Sequence, residues 1–425
     1  MGTSEDEVWA THMNGIHRSY DVAVIGAGPA GAVAAANLAR RGLEVVVLER
    51  ETFPRFSIGE SLLPQSMAFL DEAGLLPVVQ RAGFQLKNGA MFDRANCRSV
   101  FEFSDKSTPG WADTYQVQRA RFDKLLADEA GSIGAQIHYG YEIVAATMSD
   151  DGARLVYRAP DGHQGEVRAD FCLDASGFGR TLVRLLNLDA PAAVPMVRQS
   201  IFTHVVDNMN EAAFDRNKIL ITVHPVHHSV WFWLIPFSDG TSSVGVVGTE
   251  AFFARYRGDQ GSVLRDIIGE TGLLAELLGG ADYQQRVRQI SGYASAVKKL
   301  HGPGFALLGN AGGFLDPVFS SGVTIALKSA SLAGAALHRQ FDGQVVNWET
   351  DFAMPLNRGV ETFRQFVAGW YDGKLQDIIF AARRKPTIQR MICAILAGYA
   401  WDEANPYVAQ PERRLSALAD ACRLQ

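Results

Sequence analysis

Gly26-Ala27-Gly28-Pro29-Ala30-Gly31 and the acid Glu49 have the residue types and spacing to hold a dinucleotide. Gly26 and Gly28 permit a tight turn and close approach of backbone to a pyrophosphate, and Gly31 lets the next helix pack on its strand. The helix beginning near Ala30 offers free amides to phosphate. Glu49, 23 residues after Gly26 and followed by Arg50, stands where a carboxylate at a strand end accepts the hydroxyls of a ribose. A second constellation is Trp231-Phe232-Trp233-Leu234-Ile235-Pro236. On a strand both indoles face one side; they pack as apolar surface and do no chemistry themselves. Lys87 lies between two glycines in Gly83-Phe84-Gln85-Leu86-Lys87-Asn88-Gly89, and burial would lower its pKa toward reactivity. His224, His227 and His228 straddle a turn with no acidic partner nearby in the sequence, so no metal is expected there.

The elements that must position these residues follow from periodicity. An apolar run, Asp21 to Ile25, enters the glycine turn, an alanine-rich helix spans Ala30 to Arg41, and a strand over Leu43 to Leu48 is closed by Glu49. That is a strand–turn–helix–strand unit of about 30 residues. Val117 to Ala130 has helical spacing, His138 to Tyr157 reads as strands around Asp150-Asp151-Gly152, and Val167 to Leu173 is a further strand. From Arg198 to Val247 the pattern is strand-rich, with Ile219 to His224, Ser229 to Pro236 and Ser242 to Val247 predicting an antiparallel second layer. Pro236 ends its strand because it lacks a ladder donor. Ala306 to Leu308 returns to the first sheet, Val323 to Leu337 is a small-residue helix, and the chain beyond about 345 is mostly helical.

The bulk numbers exclude several classes. At 425 residues and 47% hydrophobic composition the chain buries a large core. A net charge of −6 argues against a nucleic-acid partner. Cys97, Cys172, Cys393 and Cys422 show no ligand spacing and read as free thiols. Residues 1–19 are polar, lack the apolar core of a signal peptide and read as a loose extension. The longest late apolar run, Met391 to Ala400, is about half a membrane span. A cytoplasmic protein without a membrane span is expected.

Several segments resemble flavoproteins. Leu173-Asp174-Ala175-Ser176-Gly177 is similar to the "DASG" turn of flavin monooxygenases. Leu307-Leu308-Gly309-Asn310-Ala311 is similar to their late "GD" motif, with Asn310 where a ribityl-binding Asp usually stands. Val117 to Asp123 resembles the segment that brings an arginine, here Arg119, near the flavin. Four more stretches resemble the flavin-dependent halogenases: Phe53 to Pro64, which includes Ile58-Gly59-Glu60-Ser61; Gly83 to Gly89; Trp231 to Pro236; and Asp316-Pro317-Val318-Phe319-Ser320-Ser321-Gly322-Val323. The resemblance covers residues 20 to about 340, and the last 85 residues match loosely.

The resemblance implies an α/β chain with a Rossmann-like FAD-binding domain of the flavin monooxygenase type, interrupted by a mostly antiparallel substrate-side sheet and followed by a helical C-terminal region. The implied boundaries are 20–195 and 291–340 for the FAD-binding parts, 196–290 for the sheet and 341–425 for the helices. FAD, supplied as FADH2, would contact Gly26, Gly28, Ala30, Gly31, Glu49, Arg50, Ile58, Gly59, Glu60, Ser61, Arg119, Asp174, Ala175, Gly309, Asn310, Asp316, Gly322 and Val323. It reacts with dioxygen in the family to give a flavin hydroperoxide. Chloride or bromide held at Ser320, Ser321 and Gly322 is converted to hypohalous acid, which Lys87 delivers to an aromatic carbon. Trp231 and Trp233 form the family's barrier between substrate and flavin. Tryptophan halogenases carry a glutamate where this chain has Phe319, so the resemblance points to the phenol and pyrrole branch, some of whose members use carrier-protein-tethered substrates. Trp370-Tyr371-Asp372-Gly373-Lys374 is similar to a C-terminal feature among them. A separate flavin reductase is implied, since one glycine-rich dinucleotide motif is present. The C-terminal helices leave open capping of the cleft, homodimerisation or docking of a carrier domain. The competing readings are a monooxygenase or geranylgeranyl-reductase-like enzyme of the same fold, and a non-catalytic FAD-binding accessory protein.

Overall fold

Ser19–Ile25 (β1), Pro29–Ala39 (α1) and Val45–Glu49 (β2) build the strand–helix–strand unit around the glycine turn. They belong to a computed structural model that describes residues 16, 19–191, 197–210, 212–283 and 285–424. The rest of the 1–19 extension lies outside the described residues, but Ile16 is packed in the core and Ser19 already opens β1. The 195/196 boundary also falls outside them.

β1 lies between β2 and Gln164–Asp174, with Gln136–Tyr139 beyond β2 and Phe305–Leu307 beyond Gln164–Asp174, all parallel. Parallel strands covered on both faces read as continuous apolar runs, and every residue of β2 is buried. A hairpin, Glu142–Ser149 and Gly152–Arg158, adds antiparallel to Gln164–Asp174. α1 is buried from Pro29 to Leu38. It has no polar face because it is enclosed by the sheet, by helix Arg119–Ile133 and by Ser321–Phe341 (α2). Alanines let these helices approach closely. The 117–130 helix begins at Arg119 instead of Val117, because Gln118 is extended and the Val117 amide is bonded to the Glu60 carbonyl.

The second sheet has seven strands in the order Arg288–Ser291, Arg198–Val206, Thr241–Thr249, Trp231–Pro236 (β3), Lys218–Val223, Gly89–Arg94 and Cys97–Glu102. Its pairings are antiparallel except Lys218–Val223 against Gly89–Arg94. The sheet thus recruits residues 89–102 from the stretch that the sequence reading gives to the first FAD-binding part. A separate two-stranded ribbon pairs Gln85–Lys87 with Thr114–Gln116 and sets Lys87 opposite Thr114. The C-terminal region is helical, with Met354–Tyr371 (α3) and Pro386–Leu396 packed into the same core as α1 and the tryptophan strand. No helix among the described residues is long and apolar enough to cross a membrane.

Candidate active site

The glycine turn is shaped by what cannot fit in it. Gly26 has φ +98°, and a Cβ there would lie 2.7 Å from the Ala175 carbonyl oxygen; one on Gly31 would lie 1.9 Å from the Gly26 oxygen. The turn therefore closes directly onto its own helix and the neighbouring strand end. Glu49 is buried at the tip of β2; its Oε2 accepts from the Ala27 amide at 2.9 Å and its Oε1 from the Glu51 amide at 2.9 Å. The carboxylate braces the turn while keeping lone pairs on the cavity side.

These residues open onto a cavity of about 380 Å³. Gly26, Gly28, Ala30, Glu49 and Arg50 line its nucleotide side. Ile58, Gly59, Glu60, Ser61 and Arg119 contribute a second wall, and Ala175, Gly309 and Asn310 a third. Ser320, Gly322, Val323, Trp231 and Trp233 complete it. Gly59 has φ +97°, and a Cβ there would meet the Arg119 guanidinium at 3.0 Å. Arg119 is itself fixed, pairing with Asp123 at 2.7 Å and donating to the Ile58 carbonyl. Backbone-lined walls, a helix N-terminus and a braced carboxylate fit FAD, so these residues would hold its pyrophosphate, ribose and ring system.

Two acids read as cofactor contacts do not reach the cavity. Asp174 spends its oxygens on the Ser176 and Leu182 amides, at 2.9 and 2.7 Å, and so shapes the turn that presents Ala175. Asp316 accepts from the Val318 amide at 3.0 Å and the Tyr371 hydroxyl at 2.9 Å; burial pushes its pKa up to about 6. Gly31 and Ser321 are buried in the packing behind the lining residues. The Ser320 amide donates to the Pro317 carbonyl. That leaves the first amides of α2, at Ser321 and Gly322, as the donors available to an anion.

Two residues of the site carry no role in the sequence reading. Arg55 lines the cavity, held by Asp123 at 3.0 Å, and its Nη2 lies 3.3 Å from where a Gly28 Cβ would be. It is a cation beside the pyrophosphate turn whose position just after Phe53-Pro54 could have been read. His204 bonds Glu60 Oε1 at 2.7 Å. Burial pulls its imidazole down, but the Glu60 hydrogen bond and charge outweigh that and leave its pKa above the ordinary value. No local pattern announces His204.

Lys87 is 1% exposed and does not line the cavity; it lies behind the Ser61–Leu62 segment. Its Nζ donates to Ser61 Oγ at 2.7 Å and to the Leu62 carbonyl at 2.8 Å, with the Phe103 ring centroid 5.3 Å away. Desolvation pushes its pKa down to about 7. A neutral amine has two N–H donors, which these two acceptors satisfy, and its lone pair is then unshared. Trp231 and Trp233 share one face of β3, ring centroids 6.0 Å apart, and Trp233 donates to Ser243 Oγ at 3.0 Å. Phe319 is buried edge-on against Phe366 and Trp370. His224, read as lacking an acidic partner, bonds Glu270 at 3.0 Å from 46 residues away. Among the described residues no group of three or more His, Cys, Asp or Glu could hold a metal.

Comparison with known proteins places the chain in a family. Residues 19–261 match the FAD binding domain family model. A solved flavoprotein/dehydrogenase from Cytophaga hutchinsonii superposes with a TM-score of 0.92 at 42% identity, covering 96% of this chain and 99% of that one. A tryptophan 2-halogenase from Chondromyces crocatus is 32% identical over 77% of this chain and 62% of its own length. A 1H-pyrrole-2-carbonyl-[peptidyl-carrier protein] chlorinase from Pseudomonas fluorescens is 26% identical over 95% of this chain and 94% of its own. The chain thus spans less than two thirds of the first halogenase and nearly all of the second.

Proposed function

We propose that this chain, which belongs to the FAD binding domain family and is similar to flavin-dependent halogenases, transfers chlorine or bromine from halide to an electron-rich aromatic carbon. The net reaction is FADH2 + O2 + X⁻ + ArH + H⁺ → FAD + ArX + 2 H2O. Bound FAD supplies the two-electron reduction of dioxygen that this balance needs. The observation that carries the reading is Lys87: a wholly buried amine with pKa near 7, adjoining a cofactor-lining segment and, among the described residues, backed by no carboxylate. A lysine buried without an ion-pair partner is costly to keep, which favours a chemical use for it.

Each residue then has a task. The amides of Ser321 and Gly322 hold the halide at the start of α2. The Lys87 lone pair takes electrophilic halogen from hypohalous acid and passes it to the acceptor, while Trp231 and Trp233 keep the acceptor from the flavin. With Phe319 in an apolar aromatic cluster, no carboxylate assists deprotonation there, which favours phenols and pyrroles over less activated rings. An acceptor tethered to a carrier protein and a separate flavin reductase extend this reading, supported by the similarity to the pyrrole-carrier-protein chlorinase.

The 42% identity to a flavoprotein named as a dehydrogenase favours a second reading, in which the same cavity runs halogen-free redox chemistry. One experiment separates them: photoreduced enzyme given dioxygen, bromide and a simple phenol or pyrrole in a single turnover, with products read by mass spectrometry. Brominated product dependent on Lys87 supports halogenation. Flavin reoxidation with no halogen incorporated into free or carrier-bound acceptors overturns it.

A further inference from the structure

Trp231 does not stand in the cavity wall unaided. Its indole Nε1 donates to the Tyr371 hydroxyl at 2.9 Å, and that hydroxyl donates to Asp316 Oδ2 at 2.9 Å. Asp316 Oδ1 accepts from the Val318 amide at 3.0 Å, inside the Pro317–Phe319 turn that leads into Ser320 and α2. Tyr371 is the last residue of α3. Three segments far apart in sequence therefore meet at one phenol oxygen: the tryptophan strand, the turn before the anion-facing amides, and the C-terminal helix.

The surroundings make this junction specific. Trp231 is 1% and Asp316 4% exposed, so neither has water to replace a lost partner. The Arg198 guanidinium carbon stands 3.4 Å from the centroid of the Tyr371 ring. Its charge steadies the buried carboxylate and it pins the ring from its face. Gln376, just past α3, donates to the His228 and Trp370 carbonyls and ties the helix end back to the loop before β3. Trp233 has its own support in Ser243, on the neighbouring strand. Of the two indoles, Trp231 is the one that the described residues hold through the C-terminal helix.

We infer that Tyr371 is a positioning residue that locks the Trp231 indole and the halide-side turn in one geometry, and that this clamp couples flavin oxidation to halogenation. The inference rests on the halogenase reading above. With the clamp intact, reducing equivalents leave through ArX. With the indole free to rotate and the turn released, two leaks open, each balanced: FADH2 + O2 → FAD + H2O2, and FADH2 + O2 + ArH → FAD + ArOH + H2O. The second needs the acceptor to reach the flavin, which the Trp231 ring otherwise blocks. The C-terminal helices thereby gain a role, since the seating of α3 sets the wall.

Tyr371→Phe keeps the ring under Arg198 and removes only the shared hydroxyl, and Asp316→Ala removes both acceptor oxygens as a second route to the same loss. Two readouts are made on the FAD-loaded protein. Indoles lining the cavity quench flavin emission at short range, so the flavin fluorescence lifetimes report Trp231 without any halide. The ratio of brominated product to hydrogen peroxide plus hydroxylated product, from the photoreduced enzyme with bromide and a phenol, reports coupling. We expect broadened lifetimes and a coupling ratio lowered about fivefold or more in both variants, with FAD affinity within about twofold of wild type. Lifetimes identical to wild type in both variants overturn the clamp, as does a coupling ratio within twofold of wild type. A wild type that brominates nothing refutes the halogenase reading instead, and the lifetimes still decide the clamp.

Discussion

Replacing Lys87 by methionine tests the amine on which the proposed chemistry turns, and the structure sets the size of the effect. Unfolded, Lys87 holds its proton up to its ordinary pKa of 10.5; folded, burial brings that down to about 7. At ~1.4 kcal/mol per pKa unit, this difference withholds about 5 kcal/mol of folding free energy. The sign follows from proton counting. Between the two values the unfolded chain binds more protons, so the stability contribution rises with pH, from its full penalty well below pH 7 to none well above 10.5. Methionine fills a similar volume without the charge, and the unsatisfied Leu62 carbonyl it leaves costs about 1–3 kcal/mol. That cost does not depend on pH. Urea denaturation at pH 7 and pH 9 should therefore show the wild type gaining about 2 kcal/mol relative to Lys87→Met. Catalysis carries the same titration. With the lone pair as acceptor of halogen, the halogenation rate climbs about tenfold per pH unit below 7 and levels off above it, while FAD binding and flavin reoxidation persist in Lys87→Met. Parallel stability curves for the two proteins would refute the buried-amine argument. A rate that falls as pH rises through 7 would assign the work to the ammonium form and refute the lone-pair mechanism.

Three further outcomes follow from the cofactor cavity. Glu49→Ala removes both a ribose acceptor and the partner of the buried Ala27 amide; flavin fluorescence titration should show FAD affinity reduced about tenfold or more, with about 1–3 kcal/mol lost from the apoprotein. Arg55→Gln takes a cation from beside Gly28 but leaves Asp123 paired with Arg119, so FAD affinity should fall about tenfold, for the ~1.4 kcal/mol of a charge-assisted contact, with the unfolding midpoint little changed. Stopped-flow mixing of the FAD-bound protein with NADPH alone should give reduction far slower than turnover, and adding a flavin reductase with free FAD should restore it. Rapid direct reduction would show that a second dinucleotide binds this chain.

How much of this was legible depends on whether a residue's task is defined within its own turn. The Gly26–Gly31 motif and Glu49 were readable because β1, α1 and β2 are consecutive, and the backbone fixes where the acid must stand relative to the turn. Alternation along β3 likewise fixed the shared face of Trp231 and Trp233. Asp174 and Asp316 were read as cofactor contacts, but an aspartate in a tight turn looks the same in sequence whether it binds a cofactor or caps amides, and here both cap the Ser176, Leu182 and Val318 N–H groups. The Gly89–Arg94 strand was invisible as part of the second sheet because its parallel partner, Lys218–Val223, lies over a hundred residues away, and parallel register leaves no hairpin signal. Separation in sequence likewise hid Glu270 from His224 and His204 from Glu60. Arg55 was different: it sits in a segment whose flanking residues were read as lining the flavin, and its side chain was overlooked for want of a spacing rule. Lys87 shows the limit most sharply. Its motif marked it, but the property on which its proposed reactivity rests is burial behind Ser61 and Leu62 with two neutral acceptors and, among the described residues, no carboxylate partner. That absence of a counter-ion is a fact of three-dimensional packing, and no one-dimensional pattern encodes it.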